Sequence, residues 1–289
     1  MILKNISQLT ASEHQAVIIN VSTKSVTTLA LLSALRFAGM PMLVIDCESQ
    51  DGSFDHFTRL MKVHDFDLLA APLKKHGNTL DWIFEFIPAE KVLLVDSDVE
   101  ILGSEIIQII RNFIDEERVF GGGFTHGPCW LPDHPGIGYY QERMWIPLTM
   151  LNVAHVRRAL RAGFSFIDET ILNDFAASNF VSRLLALRFK RPSLRNRRLA
   201  WLNRFRTSYY GLKPAYVFCD TGAAVYQFLK YREGLYFAGV PAERHERYVT
   251  HFHGVTRSLL DPNDTNSTSL AEINEQVRER LEQVYGFAG

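Results

Sequence analysis

Val92-Leu93-Leu94-Val95-Asp96-Ser97-Asp98 decides the fold: four strand-forming apolar residues run directly into two carboxylates one residue apart. An unbroken apolar run of this kind reads as a strand buried on both faces, as in a parallel sheet covered by helices. The carboxylates cannot share that burial, because an unpaired charge in an apolar interior is very costly. They belong at the mouth of the sheet, and the carboxyl edge of an open α/β sheet is where ligands bind. Two carboxylates there predict a divalent cation held against a phosphorylated ligand.

Upstream, Ala16 to Val21 reads as a first strand, followed by the polar turn Ser22-Thr23-Lys24-Ser25. A helix through Leu29, Leu32 and Leu35 closes at Gly39, with Pro41 just beyond. A second strand, Met42 to Ile45, leads into Asp46 and the loop to Ser53. Strand, helix and strand form a βαβ unit, whose crossover is right-handed and parallel. A short helix near Phe57 to Val63 and a third apolar run, Phe66 to Ala71, follow. Asn78 with Asp81 reads as a capping pair for a helix through Trp82, Ile83 and Phe86. Ser104 is the expected N-cap of a helix carrying Ile106, Ile107, Ile110 and Phe113. Repeated βα alternation predicts an α/β fold. Neither GxGxxG nor GxxxxGK[ST] occurs, so a phosphate bound here needs another charge partner. A magnesium-like cation on Asp96 and Asp98 would supply it. Asp46 follows a strand, and either accepts hydrogen bonds from a base or ribose or is a turn-former before Gly52.

The 289 residues are 47% hydrophobic and 22% charged, with a formal net charge of −1, which predicts no global attraction to nucleic acid or acidic lipid. Cys47, Cys129 and Cys219 form no CxxC or zinc spacing, so free thiols in a reducing compartment are expected. Met1 to Gln15 lacks the apolar core of a signal peptide, and no run of about 18 apolar residues occurs. The expected placement is cytoplasmic.

Downstream, Gly121-Gly122-Gly123 is a flexible patch suited to close backbone approach. Pro128 to Pro147 is expected to be a surface loop over the site. Met150-Leu151-Asn152-Val153 resumes regular structure and leads into a helix with Val156 and Leu160. Asp168 and Glu169 lie where a loop is expected to turn into a helix, where acidic residues also serve as plain dipole partners. Between Arg183 and Lys213 there is no acidic residue, while arginines and aromatics interleave. Such a stretch fits an anionic membrane surface, an anionic acceptor, or a solvated basic helix. No nucleic-acid motif accompanies it. In a late strand, Tyr248 to Gly254, period two puts His251 and His253 on one face, as metal ligands or as ordinary histidines. Ser269-Leu270-Ala271-Glu272 is a capping box for a terminal helix with Ile273, Val277, Leu281 and Val284 on one side.

Taken in order, a βα-rich first half, Asp96-Ser97-Asp98, Asp168-Glu169-Thr170-Ile171-Leu172-Asn173 and His251-Phe252-His253-Gly254 resemble a GT-A glycosyltransferase. The likeness is nearest to the retaining family 8 (glycogenin and bacterial lipopolysaccharide hexosyltransferases), with some to family 6, and spans Ala16 to Arg257. It implies a Rossmann-like GT-A nucleotide-diphospho-sugar transferase fold, with a mostly parallel central sheet flanked by helices. The implied catalytic domain covers 1–260. Its nucleotide-binding half is about 1–125 and its acceptor half about 126–260, including a basic helical segment at about 181–213. A C-terminal helix in 261–289 packs beside it. The implied activity is metal-dependent transfer of a hexose from a nucleotide-diphosphate sugar, UDP-sugar foremost, to a glycan, glycolipid or lipid-linked acceptor. Polysaccharide or lipopolysaccharide biosynthesis is the implied setting; a peripheral position on the inner face of a membrane, through 183–206, is a separate expectation from the basic stretch.

By motif, Asp98 falls where the family ligates manganese or magnesium, and Asp96 where it contacts metal and ribose. His251 matches the histidine that completes the metal site, with His253 the alternative; mixed oxygen and imidazole ligation suits manganese. Glu169, with Asp168 beside it, falls where the family has its nucleophile or stabiliser of the oxocarbenium-like centre. Met150-Leu151-Asn152 resembles the segment beside the donor sugar, and Ser22 and Asp46 lie on the nucleotide side. The family's lysine after His-x-x-Gly is missing, and Arg257 is the replacement phosphate partner. Asp51-Gly52-Ser53 is more like family 2, which inverts, so retention stays open. Two readings compete. A haloacid-dehalogenase-type phosphatase also ends a strand in Asp-x-Asp, but continues with Gly and then Thr or Val where this chain has Val99 and Glu100. A catalytically silent sugar-nucleotide or lipid-binding protein on the same fold is the other.

Overall fold

The computed structural model describes residues 1–127, 129–130, 139–140, 142–172, 201, 205, 216–252, 255 and 270–287. At its centre is an eight-stranded sheet. The order is β1 (Ile2–Leu3), β4 (Asp67–Ala71), β3 (Met42–Cys47), β2 (Ser12–Asn20), β5 (Ala89–Asp96), β10 (Arg143–Asn152), β7 (Val119–His126) and β13 (Tyr236–Pro241). Only β10 runs against the others, antiparallel to both β5 and β7. The remaining pairs are parallel, so the sheet is mostly parallel as expected.

Helices cover both faces, which is why β5 is apolar on both sides. Val92 and Leu94 enter a core shared with α3 (His76–Phe86) and α5 (Val153–Arg161). Leu93 and Val95 enter the opposite core, built with α1 (Lys24–Phe37), α2 (Ser53–Leu60) and α4 (Glu105–Ile114). Further on, β6 (Val99–Ile101) pairs with β14 (Val249–His251) in a two-stranded ribbon. A second sheet orders β11 (Glu169–Leu172), β12 (Tyr216–Cys219), β9 (Tyr139–Tyr140) and β8 (Cys129–Trp130). The short helix α6 (Ala223–Gln227) runs into a π-helical turn, Phe228–Arg232. Last, α7 (Leu270–Tyr285) lays Ile273, Val277 and Leu281 on Val26, Leu29 and Leu32 of α1.

Several local expectations are corrected. Asp168 and Glu169 lead into a strand, not a helix: Thr170 and Ile171 are β-branched and pair with Phe218 and Val217. Arg143 to Pro147 belong to β10 rather than to a loop. The glycines at 121–123 lie inside β7, where the expected close approach is real. A Cβ on Gly121 would stand 2.8 Å from the Met150 carbonyl oxygen, and one on Gly123 2.6 Å from that of Leu148. Asn78 and Asp81 do not cap α3, which starts at His76. The Asp81 carboxylate instead accepts from Ser165 Oγ (2.5 Å) and Phe166 N–H (2.8 Å), tying α3 to the approach to β11. The basic stretch 183–206 lies outside the described residues except for Trp201 and Phe205, whose rings stack at 5.5 Å. Ser269 of the capping box also lies outside them. Among the described residues no helix is long and apolar enough to cross a membrane.

Candidate functional site

The strand order reverses beside β2: β3 and β4 lie on one side of it and β5 on the other. The crevice outside the carboxyl ends of β2 and β5 is therefore the place where such a sheet binds ligands. Asp96 ends β5 there, in register with Ile19. Its side chain is 28% exposed. Burial raises its carboxyl above the usual value; Asp98 adds to the effect, and His76 and His251 oppose it. His76, the first residue of α3, stands with Nε2 4.0 Å from Asp96 Oδ1.

After Asp96 the chain turns through Ser97 and Asp98 into β6. The pairing of His251 with Val99, and a bond from Phe252 N–H to the Asp98 carbonyl (2.9 Å), bring β14 alongside. Asp98 Oδ1 thus lies 3.2 Å from His251 Nε2, both side chains nearly buried. Trp145 meets the His251 ring edge-on, with centroids 5.1 Å apart. Asp98 is more enclosed than a residue at the sheet mouth was expected to be, and the imidazole beside it is what makes that burial tolerable.

Two carboxylates and one imidazole are a donor set that fits a hard or borderline divalent cation such as manganese or magnesium. The raised carboxyl of Asp96 is caused first by burial, with Asp98 adding to it, and a cation beside the two carboxylates would favour their charged forms. The three groups are not gathered into one tight cluster. Among the described residues, the only trio of ligand atoms within 4.8 Å of one another is Glu13, His14 and Asp115. There the Lys91 ammonium already bonds both carboxylates, so the charge is met by the chain itself.

Across the crevice, Asn20 ends β2 and is fully buried. Its amide nitrogen donates to Asp46 Oδ1 (2.6 Å) and Ser49 Oγ (2.8 Å), and its oxygen accepts from the Thr23 and Thr27 hydroxyls (2.9 and 2.8 Å). The other Asp46 oxygen accepts from Ser49 N–H at 3.3 Å. With 3% exposure, Asp46 has the hydrogen bonds of a turn-former that fixes the crevice floor. Ser22 sits beside it at φ 51°, its N–H donating to Ser49 Oγ and its own Oγ accepting from Gln50 N–H.

Asn152 is not brought to this crevice, which corrects its assignment beside the donor sugar. Because β10 runs backwards, Asn152 pairs with Lys91 at the far edge of the sheet. Its side chain caps α5, accepting from the N–H groups of Ala154 (3.0 Å) and His155 (3.4 Å). The part of β10 that reaches the site's edge is its start, Arg143 and Trp145. Arg143 pairs with His126 at the end of β7, and its Nε lies 3.5 Å from Asp220 Oδ2. Burial lowers the His126 pKa, and Arg143 adds to it. Glu169 opens β11 opposite Cys219, so exposed Asp168 and half-buried Asp220 continue the same antiparallel pair outward. His253 and Arg257 lie outside the described residues.

Sequence reasoning missed His76, Trp145, Arg143 and Asp220. Only Asp220 carried a usable signal, for Tyr216-Val217-Phe218-Cys219-Asp220 is again an apolar run ending in a carboxylate.

No protein-family model and no curated protein matches the chain. Among solved structures it is similar to a mannosyltransferase from Pyrobaculum calidifontis in complex with GDP-Man and Mn2+, at 12% identity over 50% of this chain and 46% of that one, TM-score 0.41. It is also similar to S. aureus TarS in complex with UDP-GlcNAc (16% identity, 50% and 47%, TM-score 0.38). A third is the galactosyltransferase LgtC with donor and acceptor sugar analogues (14% identity, 50% and 59%, TM-score 0.36). The chain spans about half the length of the first two. At TM-scores below 0.5, these likenesses assign no activity, substrate or metal to this chain.

Proposed function

We propose that the chain is a metal-dependent GT-A glycosyltransferase. It moves a hexose from a nucleotide-diphosphate sugar, UDP-sugar foremost, to a glycan, glycolipid or lipid-linked acceptor in polysaccharide or lipopolysaccharide biosynthesis. One observation carries this reading: Asp96 ends β5 at the reversal of strand order, and β14 brings His251 onto Asp98 beside it. Asp96, Asp98 and His251 would hold manganese or magnesium, which when bound stabilises the negative charge growing on the leaving diphosphate.

The chain's own groups do the rest. The Asn20–Asp46–Ser49 network holds the loops after β2 and β3 in fixed relation, so a nucleotide meets a preformed floor with Ser22 at its rim. Asp96, the more exposed of the two carboxylates, also faces the ribose. On the sugar side, Glu169 with Asp168 stabilises positive charge at the anomeric carbon, as a carboxylate does in glycoside hydrolysis. Arg257 is the phosphate partner.

A panel of nucleotide sugars, each melted with and without Mn2+, tests this reading. The largest metal-dependent rise in melting temperature is expected with uridine diphosphate donors. A response confined to guanosine or cytidine donors overturns the donor assignment, and no metal-dependent response to any of them overturns the site. A rise without any donor hydrolysis or transfer identifies the silent binder instead.

A further inference from the structure

Beside the metal-binding turn lies a carboxylate that this chemistry does not use. Glu100 follows Asp98 by two residues, sits inside β6 and is 1% exposed. Arg280 of α7 closes on it with two prongs, Nε to Oε2 at 3.0 Å and Nη2 to Oε1 at 2.6 Å. The Tyr285 hydroxyl donates to the same Oε1 at 3.1 Å. One residue on, Ile101 N–H donates to the buried Ser33 hydroxyl of α1 at 3.0 Å, and α7 itself packs on α1. A buried carboxylate is tolerable only with its partner in place, and removing that partner strands the charge. The two-pronged geometry also fixes orientation, which a single contact would not.

β6 is only three residues long, and so is β14. A ribbon this short has little hold on its own register. Yet that register, with Thr250 facing Glu100 and His251 facing Val99, is what keeps His251 at Asp98. We infer that Arg280, supported by Tyr285, is a positioning residue for the metal site: by clamping Glu100, the C-terminal helix fixes β6 against β14 and so holds Asp98 and His251 in place. This rests on the metal-dependent reading above. Groups that orient ligands from behind are worth on the order of tenfold to a hundredfold in metal affinity.

The test is Mn2+ affinity, read from the electron paramagnetic resonance signal of the free ion, in the full chain and three variants. Arg280→Met removes the clamp, and Arg280→Lys keeps the charge but loses the two-pronged fit. Arg278→Ala is the control, since among the described residues Arg278 pairs with Glu275 and Glu282 on the exposed side of the same helix. Affinity is expected to fall on the order of tenfold or more in Arg280→Met and by less in Arg280→Lys, with Arg278→Ala at the parental value. Should Arg280→Met fail to fold, Arg280→Lys decides alone. Folded Arg280 variants whose affinity stays within about twofold of the parent overturn the inference. Amide hydrogen exchange of segments 98–101 and 249–252, without metal, is the second readout. Faster exchange in Arg280→Lys but not in Arg278→Ala supports the clamp, and parental exchange in both refutes it. A parent that binds no Mn2+ refutes the metal reading, while the exchange result still judges the clamp.

Discussion

Asp96 and Asp98 stand one residue apart and sit in different surroundings. Asp98 lies against His251, while Asp96 is more open and carries a raised pKa caused first by burial. A carboxyl whose folded pKa is raised contributes stability fully below its ordinary value of 3.8, and that contribution is lost as pH rises through the raised value. As pH rises above that ordinary value, Asp96 therefore weakens the metal-free fold. Asp96→Asn is expected to raise the metal-free melting temperature at pH 7 and to abolish the further rise given by Mn2+. A melt unchanged without metal would refute the first half, and one still raised by Mn2+ the second. Glu169→Gln is expected to leave donor-induced stabilisation intact while turnover falls by roughly a hundredfold or more, the lower end of what a positioned carboxylate contributes. Equal loss of binding and turnover would instead make Glu169 a binding residue. At this scale the sequence is legible where chemistry and local pattern coincide, as at Asp96 and Asp98. Period two marks His251 together with His253, and the resemblance singles out His251, but no local spacing announces that its partner is Asp98, far back along the chain. Asp220 carries the same apolar-run signal as Asp96, but only the approach of Arg143 Nε, 3.5 Å from its Oδ2, ties it to the start of β10.

Among elements, β10 separates what sequence shows from what it hides. Met150 to Val153 marks a return to regular structure, but nothing in it shows that the strand starts as early as Arg143 or in which direction it runs. One reversal carries Asn152 to the far edge of the sheet and brings Trp145 to the site. Its neighbour β7 supplies a stability test. Gly123 has φ 150°, and a Cβ there would meet the Leu148 carbonyl at 2.6 Å. Gly123→Ala should cost about 2 kcal/mol, from backbone strain and overpacking together. In a protein of this size that is a fall of roughly 3 °C in the thermal melt. A variant melting with the parent would mean that β7 and β10 separate easily at this point. The βα alternation of the first 115 residues is legible because its helices and strands differ in period and carry their own stops, such as Gly39 with Pro41. The start of β11 is not, because Asp168 and Glu169 suit a helix start as well as a strand approach, and only pairing with β12 decides between them.

For the whole molecule, the reversal of strand order beside β2 turns a common α/β architecture into one with a single preferred crevice. Long-range pairing then equips it, with His251 arriving on β14 and the C-terminal helix bearing on β6. A net charge of −1 leaves recruitment to any anionic surface to local stretches, of which 183–206 is the most basic. Binding to anionic vesicles at low salt is expected and should fade at high salt, since each basic residue near the surface contributes about 1 kcal/mol. Failure to bind at low salt would exclude recruitment through this stretch without touching the site. Everything proposed for the crevice depends on a cation at Asp98. The decisive assay follows release of UDP from UDP-hexose donors, with and without Mn2+, in the parent and in Asp98→Ala. Metal-dependent release is expected from the parent, and none above background from the variant. Full metal-dependent release by Asp98→Ala would place the cation elsewhere and refute the site.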